Sequence, residues 1–426
     1  MTPEEAFQEE AINQIQTPSR FRVPDNYLPG FQLSTAFPTT IPVDTNPWEA
    51  VDFRTDPKDY LAAVLTYVLE GNIDADWRVG ENATRIWYHA PWMHFGRRGR
   101  EPIRGLTLER GARPFELHEN QTDRTRNWAV GFYNAAGATT LGSVWQNPSA
   151  PDTRNVVFPV GTVSAKLLFT DASVDQVPYL ADSLVWDAQI NRNRTPVKMR
   201  LLQLDIAVRD ARADSATGWV FGTFVYRADA DGEEIWDRLV PVGLHWGNDP
   251  MRTLVDHNNS LPLTEGWMNA VISQEFYALP RKWLGLWGRM NGPVDNSGSA
   301  CLACHSRAMD LGETRDRPPF APDSSDAAEV LHYFANRGST EPFFEGFRSL
   351  DYSLQLADGV ANYREWVRSN HPDFVDDIYG TAAAAITFNT MSALERDLPE
   401  YLQRVAPMLV EEVYESPFSR SDVGDE

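Results

Sequence analysis

"RLLQLDIAVRDARADSATGWVFGTFVYRA", residues 200–228, decides the fold class. From Leu202 to Val208 the large apolar residues fall at every second position: Leu202, Leu204, Ile206 and Val208. Successive side chains of a strand point to opposite sides of the pleat, so these four share one buried face. "ARADSATG" then supplies turn residues, and "WVFGTFVYR" is a second β-branched and aromatic run. Upstream, "NWAVGFYNA" (127–135) and "GTVSAKLLFT" (161–170) have the same texture. The strands lie close together with few helical connectors, which predicts antiparallel pairing. Residues 85–320 are therefore read as a β-rich core.

The flanks read differently. Residues 1–84 begin as a Pro-, Thr- and Phe-rich arm and end in a helix. In "DPKDYLAAVLTYVLEGN" (56–72), Leu61, Val64, Leu65, Val68 and Leu69 recur at helical spacing, with Asp56 as cap and Gly71 as stop. Residues 321–426 read as a helical extension. "SSDAAEVLHYFANRG" (324–338) opens with Asp326 and Glu329 in capping-box spacing and closes on Gly338. "SLDYSLQLADGVANYREWVRSNHP" runs to Pro372, and a further stretch puts Leu394, Leu398, Leu402, Val405 and Leu409 on one face. The whole is predicted to be α+β: an antiparallel β-rich core, an N-terminal arm and a C-terminal helical extension.

The chain has 426 residues, 38 Lys and Arg against 60 Asp and Glu, and a formal net charge of −22. Such a surface repels phosphate backbones and anionic lipid, so nucleic acid and membrane surfaces are poor partners, whereas a basic protein is a favourable one. No apolar run approaches the ~18 residues of a membrane-spanning helix. The start, "MTPEEAFQEEAINQIQ", has neither the basic residues nor the apolar run of a secretion signal.

"SACLACHSRAMD", residues 299–310, holds the only two cysteines, Cys301 and Cys304, with His305 beside the second. Three chemistries use C-x-x-C. A thioredoxin-type centre needs a βαβ setting, and here a Gly/Ser/Asn loop precedes the motif. A structural zinc site needs two more ligands. The third is covalent c-type haem, whose signature is C-x-x-C-H. Two thiols on one helical turn can each form a thioether to a haem vinyl group, and the adjacent His305 then reaches iron through its outer nitrogen. The residue pattern favours this third chemistry: one haem c on Cys301 and Cys304, with His305 as the metal ligand. Haem c is attached outside the bacterial cytoplasm, so a periplasmic or otherwise extracytoplasmic location is expected, with a signal peptide removed from this sequence.

An electron-transfer cytochrome c is mostly helical and carries its motif near its start. Here the motif follows a long run of strands. Several stretches carry a resemblance, in order: "NWAVGFYNAAG", the FP-x-G-T-V-x-x-K pattern of "FPVGTVSAKLLF" (158–169), "LDIAVRDARADSATGWVFGTFVYRAD", and "NSGSACLACHSRAMD". Together they resemble the cytochrome P-460 family and its relatives, the β-sheet cytochromes c-prime. The matched pieces lie between Trp128 and Asp310. A long insertion before the haem motif and extensions at both ends make this an enlarged and divergent relative. The resemblance implies a lysine cross-linked to the haem edge, or standing on its distal side, and Lys166 occupies the matching position. It also implies an open iron site acting on hydroxylamine or nitric oxide, with electrons passing to a redox partner protein. The competing class is an electron-transfer cytochrome, or a haem-stabilised binding module, with six-coordinate iron.

Other residues carry weaker signals. Phe158, Phe169, Phe221, Phe224 and Tyr226 are candidates for a distal aromatic cap. His89 and His94 sit in an aromatic loop, followed by Arg97, Arg98, Arg100 and Arg104, which suit haem propionates. His245, His332, Met309 and Met391 are candidate sixth ligands, although a methionine on an apolar face is normally packing.

Overall fold

The computed structural model describes residues 31–370, apart from 32, 35, 94–99, 192–194, 273–278, 280–283 and 313–317. The first part of the arm, His94, Arg97, Arg98, Met391 and the helix expected beyond it lie outside the described residues.

The centre is an antiparallel sheet of eight strands. They are β1 (Thr107–Leu108), β2 (Asn127–Tyr133), β3 (Val163–Thr170), β4 (Val185–Ala188), β5 (Val197–Arg209), β6 (Trp219–Tyr226), β7 (Leu239–His245) and β8 (Gly266–Met268). Their order is β1-β2-β3-β5-β6-β7-β8. The start of β5 outruns β6, and its residues 197–200 pair with β4 instead. The α+β class expected from the sequence is the one observed.

Leu202, Leu204, Ile206 and Val208 are all buried on one face, with Val163, Ala165 and Leu167 of β3. Helix α1 (Pro57–Leu69) covers this face with Tyr60, Leu61, Val64, Tyr67 and Val68. Each such aliphatic side chain contributes about 1.5–3 kcal/mol by leaving water. Close approach of α1 requires a glycine beneath it: a Cβ on Gly222 would stand 2.4 Å from the Leu61 side chain. Asp56 precedes the helix and Pro57 opens it, as its fixed φ favours. Gly71, at φ +73°, follows the last turn.

The opposite face is covered by α2 (Ala135–Val144), by the segment through the cysteine motif, and by α6 (Leu354–Asn370). Between them run α3 (Leu254–Asn258), α4 (Cys301–His305) and α5 (Ala327–Tyr333). Strands β9 (Met309–Asp310) and β10 (Arg348–Ser349) form a small antiparallel ribbon. This tethers the chain just after the motif to the chain just before α6.

Helix α2 is an element that the sequence reading did not anticipate after "NWAVGFYN". Its residues, "AAGATTLGSV", combine two glycines and two threonines of weak helix propensity. Tertiary packing overrides this. Asn134 caps the helix by accepting the Gly137 N–H, and a Cβ on Gly137 would come 2.8 Å from the Thr162 side chain. Helix α5 is capped by Asp326, which accepts from the N–H groups of Ala328 and Glu329, but it ends at Tyr333, before Gly338.

Candidate functional site

One transverse row of the sheet defines the site. Register pairs run Gly131–Lys166–Asp205–Thr223–Gly243–Met268 across β2, β3, β5, β6, β7 and β8. The next row runs Tyr133–Ser164–Ala207–Phe221–His245–Gly266. Both rows point away from α1. They are rich in Gly, Ser and Ala, and the covering segments come close to them: a Cβ on Gly131 would stand 2.2 Å from the Gln355 side chain, and one on Gly243 3.1 Å from that of Met290. Lys166 and Asp205 stand on central strands, yet their side chains remain 26% and 21% exposed. This part of the sheet is roofed but not sealed.

Lys166 Nζ lies 3.1 Å from Asp205 Oδ2. Asp205 Oδ1 also accepts from Gln203 Nε2 at 2.6 Å and Thr223 Oγ1 at 2.8 Å. Burial works against the lysine's charge, but the carboxylates of Asp205, Glu109 and Asp295 outweigh it and raise its pKa, so Lys166 is an ammonium. Burial raises the pKa of Glu109 and of Asp295, and Lys166 opposes both shifts.

Helix α4 lies over this face. Leu302 anchors it in the apolar cluster with Phe221 and Tyr352. Its cap residue, Ala300, has no side-chain acceptor, so the first-turn N–H groups need another partner. His245 of β7 supplies one: Nε2 accepts from the Leu302 N–H at 3.4 Å. Burial lowers the His245 pKa to about 3, so it is neutral and can accept.

Cys301 and Cys304 are both free thiols. Burial pushes the Cys301 thiol well up, with Asp295 and Asp205 adding to the shift; burial also raises Cys304, against the pull of Arg307. Lys166 acts electrostatically on both cysteines and on His305. The four residues singled out in the sequence therefore lie within electrostatic reach of one another, although they come from β3 and α4.

His305 is oriented from two sides. Its Nδ1 lies 2.8 Å from the Tyr352 carbonyl oxygen. The Phe221 ring meets it edge-on, with centroids 4.8 Å apart. A carbonyl only accepts, so Nδ1 carries the proton. Burial lowers the His305 pKa to about 4, with the Tyr352 bond opposing. The neutral ring thus keeps its lone pair on Nε2, the tautomer a metal ligand needs.

The three chemistries of C-x-x-C can now be compared. A redox dithiol needs a thiolate, and at these half-buried thiols desolvation favours the protonated form. A structural zinc site needs four converging donors. Among the described residues no group of three or more His, Cys, Asp or Glu side chains is placed to hold a metal ion. Two free thiols and an imidazole whose Nε2 keeps its lone pair sit on one short helix.

The other candidates separate cleanly. Phe158 and Phe221 lie on the site face, whereas Phe169, Phe224 and Tyr226 belong to the core under α1. His89 is buried against Phe31, and burial, then Arg100, lowers its pKa to about 3. Arg100 is buried and donates to the Gly105 carbonyl, and Arg104 pairs with Asp76 at 2.8 Å. His332 packs on Phe343, and the Met309 sulfur accepts from the Phe344 N–H at 3.3 Å. Sequence reading missed Glu109, Asp205, Asp295 and Tyr352. Only Asp205 carried a signal, as a charged residue inside an alternating strand.

Compared with models of known protein families, with curated proteins and with solved structures, the chain matches none. Among the described residues no helix is long and apolar enough to cross a membrane.

Proposed function

We propose that the chain is a mono-haem c-type protein, with Cys301 and Cys304 as the thioether attachment residues and His305 as the iron ligand. The carrying observation is the Nδ1 bond from His305 to the Tyr352 carbonyl, which leaves Nε2 as the free donor beside two free thiols. When bound, the haem supplies an iron centre for ligand binding and one-electron transfer. The chain's own residues do the rest: His305 donates its lone pair, Phe221 fixes the ring plane, and Leu302 holds the helix down.

The reaction class is a small nitrogen compound, hydroxylamine or nitric oxide, bound or oxidised at an open iron position. Two things support it. The sequence resembles cytochrome P-460, and Lys166 stands within electrostatic reach of the motif, where that resemblance expects it. His245, a candidate sixth ligand, already uses Nε2 on the Leu302 N–H and donates to the Gly247 carbonyl. That commitment disfavours the competing reading, an electron carrier with iron capped by histidine. A redox partner protein with a basic surface, in a periplasmic or similar compartment, completes the proposal.

Mass spectrometry and absorption spectra of the chain made with haem-maturation machinery test this reading. One covalently added haem, and a high-spin ferrous spectrum, are the expected results. An unmodified mass with a bound zinc ion sinks it.

A further inference from the structure

The chain between the cysteine motif and α6 makes the contact on which the His305 orientation depends. Asp351 and Tyr352, neither a glycine, adopt left-handed φ values of +46° and +64° in succession. Such a pair persists only where surrounding contacts over-determine it. Those contacts are present. The Asp351 carboxylate is fully buried; Oδ2 accepts from the Phe158 N–H at 2.6 Å and Oδ1 from Trp219 Nε1 at 2.8 Å. The Tyr352 hydroxyl donates to the Arg337 carbonyl at 2.8 Å, and Ser353 Oγ meets the Tyr133 hydroxyl at 2.7 Å. The turn is thus nailed to β2, to β6 and to the loop before β3. The one carbonyl it presents to the motif is that of Tyr352, on His305 Nδ1.

We propose that Asp351 is a positioning residue for the iron ligand: by holding the 351–352 turn through Phe158 and Trp219, it sets the Tyr352 carbonyl that fixes the tautomer and basicity of His305. This deepens the haem reading and rests on it. It gives the segment beyond the motif a part in the site, since the carbonyl does not come from the motif's own loop. The residues that anchor Asp351 are the aromatics of "FPVGTV" and "GW", far from the cysteines in sequence. A hydrogen bond donated by Nδ1, the ring nitrogen that does not bind the metal, raises ligand basicity and favours the oxidised metal, so loosening the turn raises the reduction potential.

The test uses Asp351→Asn in the full chain. Asn tolerates the left-handed conformation, but its amide cannot accept from both the Phe158 N–H and Trp219 Nε1. In haem-loaded protein the expected result is about a tenfold shift of the reduction equilibrium toward the ferrous form, ~59 mV for one electron, with a weakened iron–histidine vibration. Trp219→Phe, which keeps an aromatic ring but removes one donor, should move both in the same direction by less. It serves if Asp351→Asn does not fold. A second readout needs no haem: the His305 Nδ1–H resonance of the unloaded chain, slowly exchanging in the wild type and fast in both variants. If the wild type takes up no haem, the haem reading fails, and this proton still decides the role of Asp351. An unchanged potential, vibration and Nδ1–H exchange in folded variants overturns the proposal.

Discussion

Lys166 and Asp205 are register partners on neighbouring central strands, with Nζ 3.1 Å from Oδ2, on the sheet face that carries the cysteine motif. Glu109 and Asp295 add two further carboxylates to the same field. One ammonium therefore holds together three acids that would otherwise repel, beneath the helix that bears Cys301, Cys304 and His305.

Lys166→Met should accordingly destabilise the chain by about 2 kcal/mol at pH 7, below the 3–5 typical of fully buried pairs because the lysine keeps some exposure. Glu109 and Asp295 have folded pKa values raised by burial. Their stabilising contribution is complete below the ordinary carboxylate range and is lost as pH rises through the folded values. Without Lys166 that loss grows, so the gap between variant and wild type should be widest at pH 7–8 and close toward pH 4. Urea midpoints across this range measure it; a gap independent of pH would show that the lysine acts through packing alone. Peptide mapping of haem-loaded protein checks the cross-link: an unmodified Lys166 peptide with an ordinary c-type spectrum removes that bond.

The proposed covalent attachment makes a sharper prediction. Cys301→Ser or Cys304→Ser alone should leave haem held by one thioether, with a red-shifted reduced α-band and one haem of added mass. The double variant should carry none after denaturation. His305→Ala should keep the covalent mass but lose the histidine-ligated spectrum. Retention of haem by the denatured double variant would show attachment elsewhere, and Lys166 is the residue to examine first.

Much of this was legible beforehand, and the reasons differ by element. The period-two pattern of Leu202–Val208 located β5 and its buried face, because the face under α1 is filled by large apolar side chains while the other carries Gln203, Asp205 and Ala207. The C-x-x-C-H spacing located α4, because its chemistry is local. Helix α2 was not legible, since its small residues are selected by close packing on Tyr133 and Thr162 rather than by helix propensity. Tyr352 was not legible either: its part is played by a backbone carbonyl, which any residue supplies, placed by a left-handed turn that nothing in "SLDYSL" announces. Lys166 was placed beside the motif by resemblance alone, and Asp205 opposite it needed the register of two strands.

The segment after the motif is held by charge, which gives an acid-sensitive element. Asp310 is bonded by Arg364 of α6, with Nη2 to Oδ2 at 2.8 Å, and also by Thr153. Although burial opposes it, the Arg364 bond holds the Asp310 pKa down to about 2, from an ordinary value of 3.8. A depressed carboxylate stabilises the fold above its unfolded pKa, and that contribution is lost as pH falls through the folded value. The shift corresponds to about 2 kcal/mol. Wild type should lose this amount between about pH 4 and pH 2, and Asp310→Asn should lose it at every pH and show a flatter profile. Chemical unfolding at pH 6 and pH 3 distinguishes them.

The buried neutral histidines act in the same direction at higher pH. Burial lowers His89 and His245 from 6.5 to about 3. A base with a depressed folded pKa binds its proton only in the unfolded chain, so stability is complete above pH 6.5 and falls as pH drops toward 3. Each contributes a slope of about 1.4 kcal/mol per pH unit below pH 6. His245→Gln should remove one such slope and also loosen α4, because the Leu302 N–H loses the imidazole acceptor. Stability measured from pH 7 to pH 5 in the haem-free chain shows whether the slope falls by one histidine's worth; an unchanged slope would mean that His245 is protonated or solvated in the fold.

Iron coordination decides between the two functional classes. With His305 on one side, a sixth protein ligand would have to come from a residue with a free donor atom near the motif. His245 has its ring nitrogens engaged, His332 packs against Phe343, and Met309 is bonded to the Phe344 N–H within a separate apolar cluster. These three candidates are engaged elsewhere, so if the chain carries haem as proposed, ferrous protein is expected to be five-coordinate and to bind carbon monoxide or nitric oxide rapidly, with a large spectral change. Stopped-flow mixing with either gas measures this directly. A low-spin ferrous spectrum indifferent to both gases would point to a capping residue and to electron transfer, and the small-molecule reading would be dropped. If the gases do bind, hydroxylamine is the next reagent. Steady reduction of an artificial electron acceptor by hydroxylamine marks a catalyst, and binding without turnover marks a sensor. Lys166→Met separates these further: a lysine that guides substrate or protons lowers turnover while leaving carbon monoxide binding within about twofold, whereas one that only shapes the pocket moves both together.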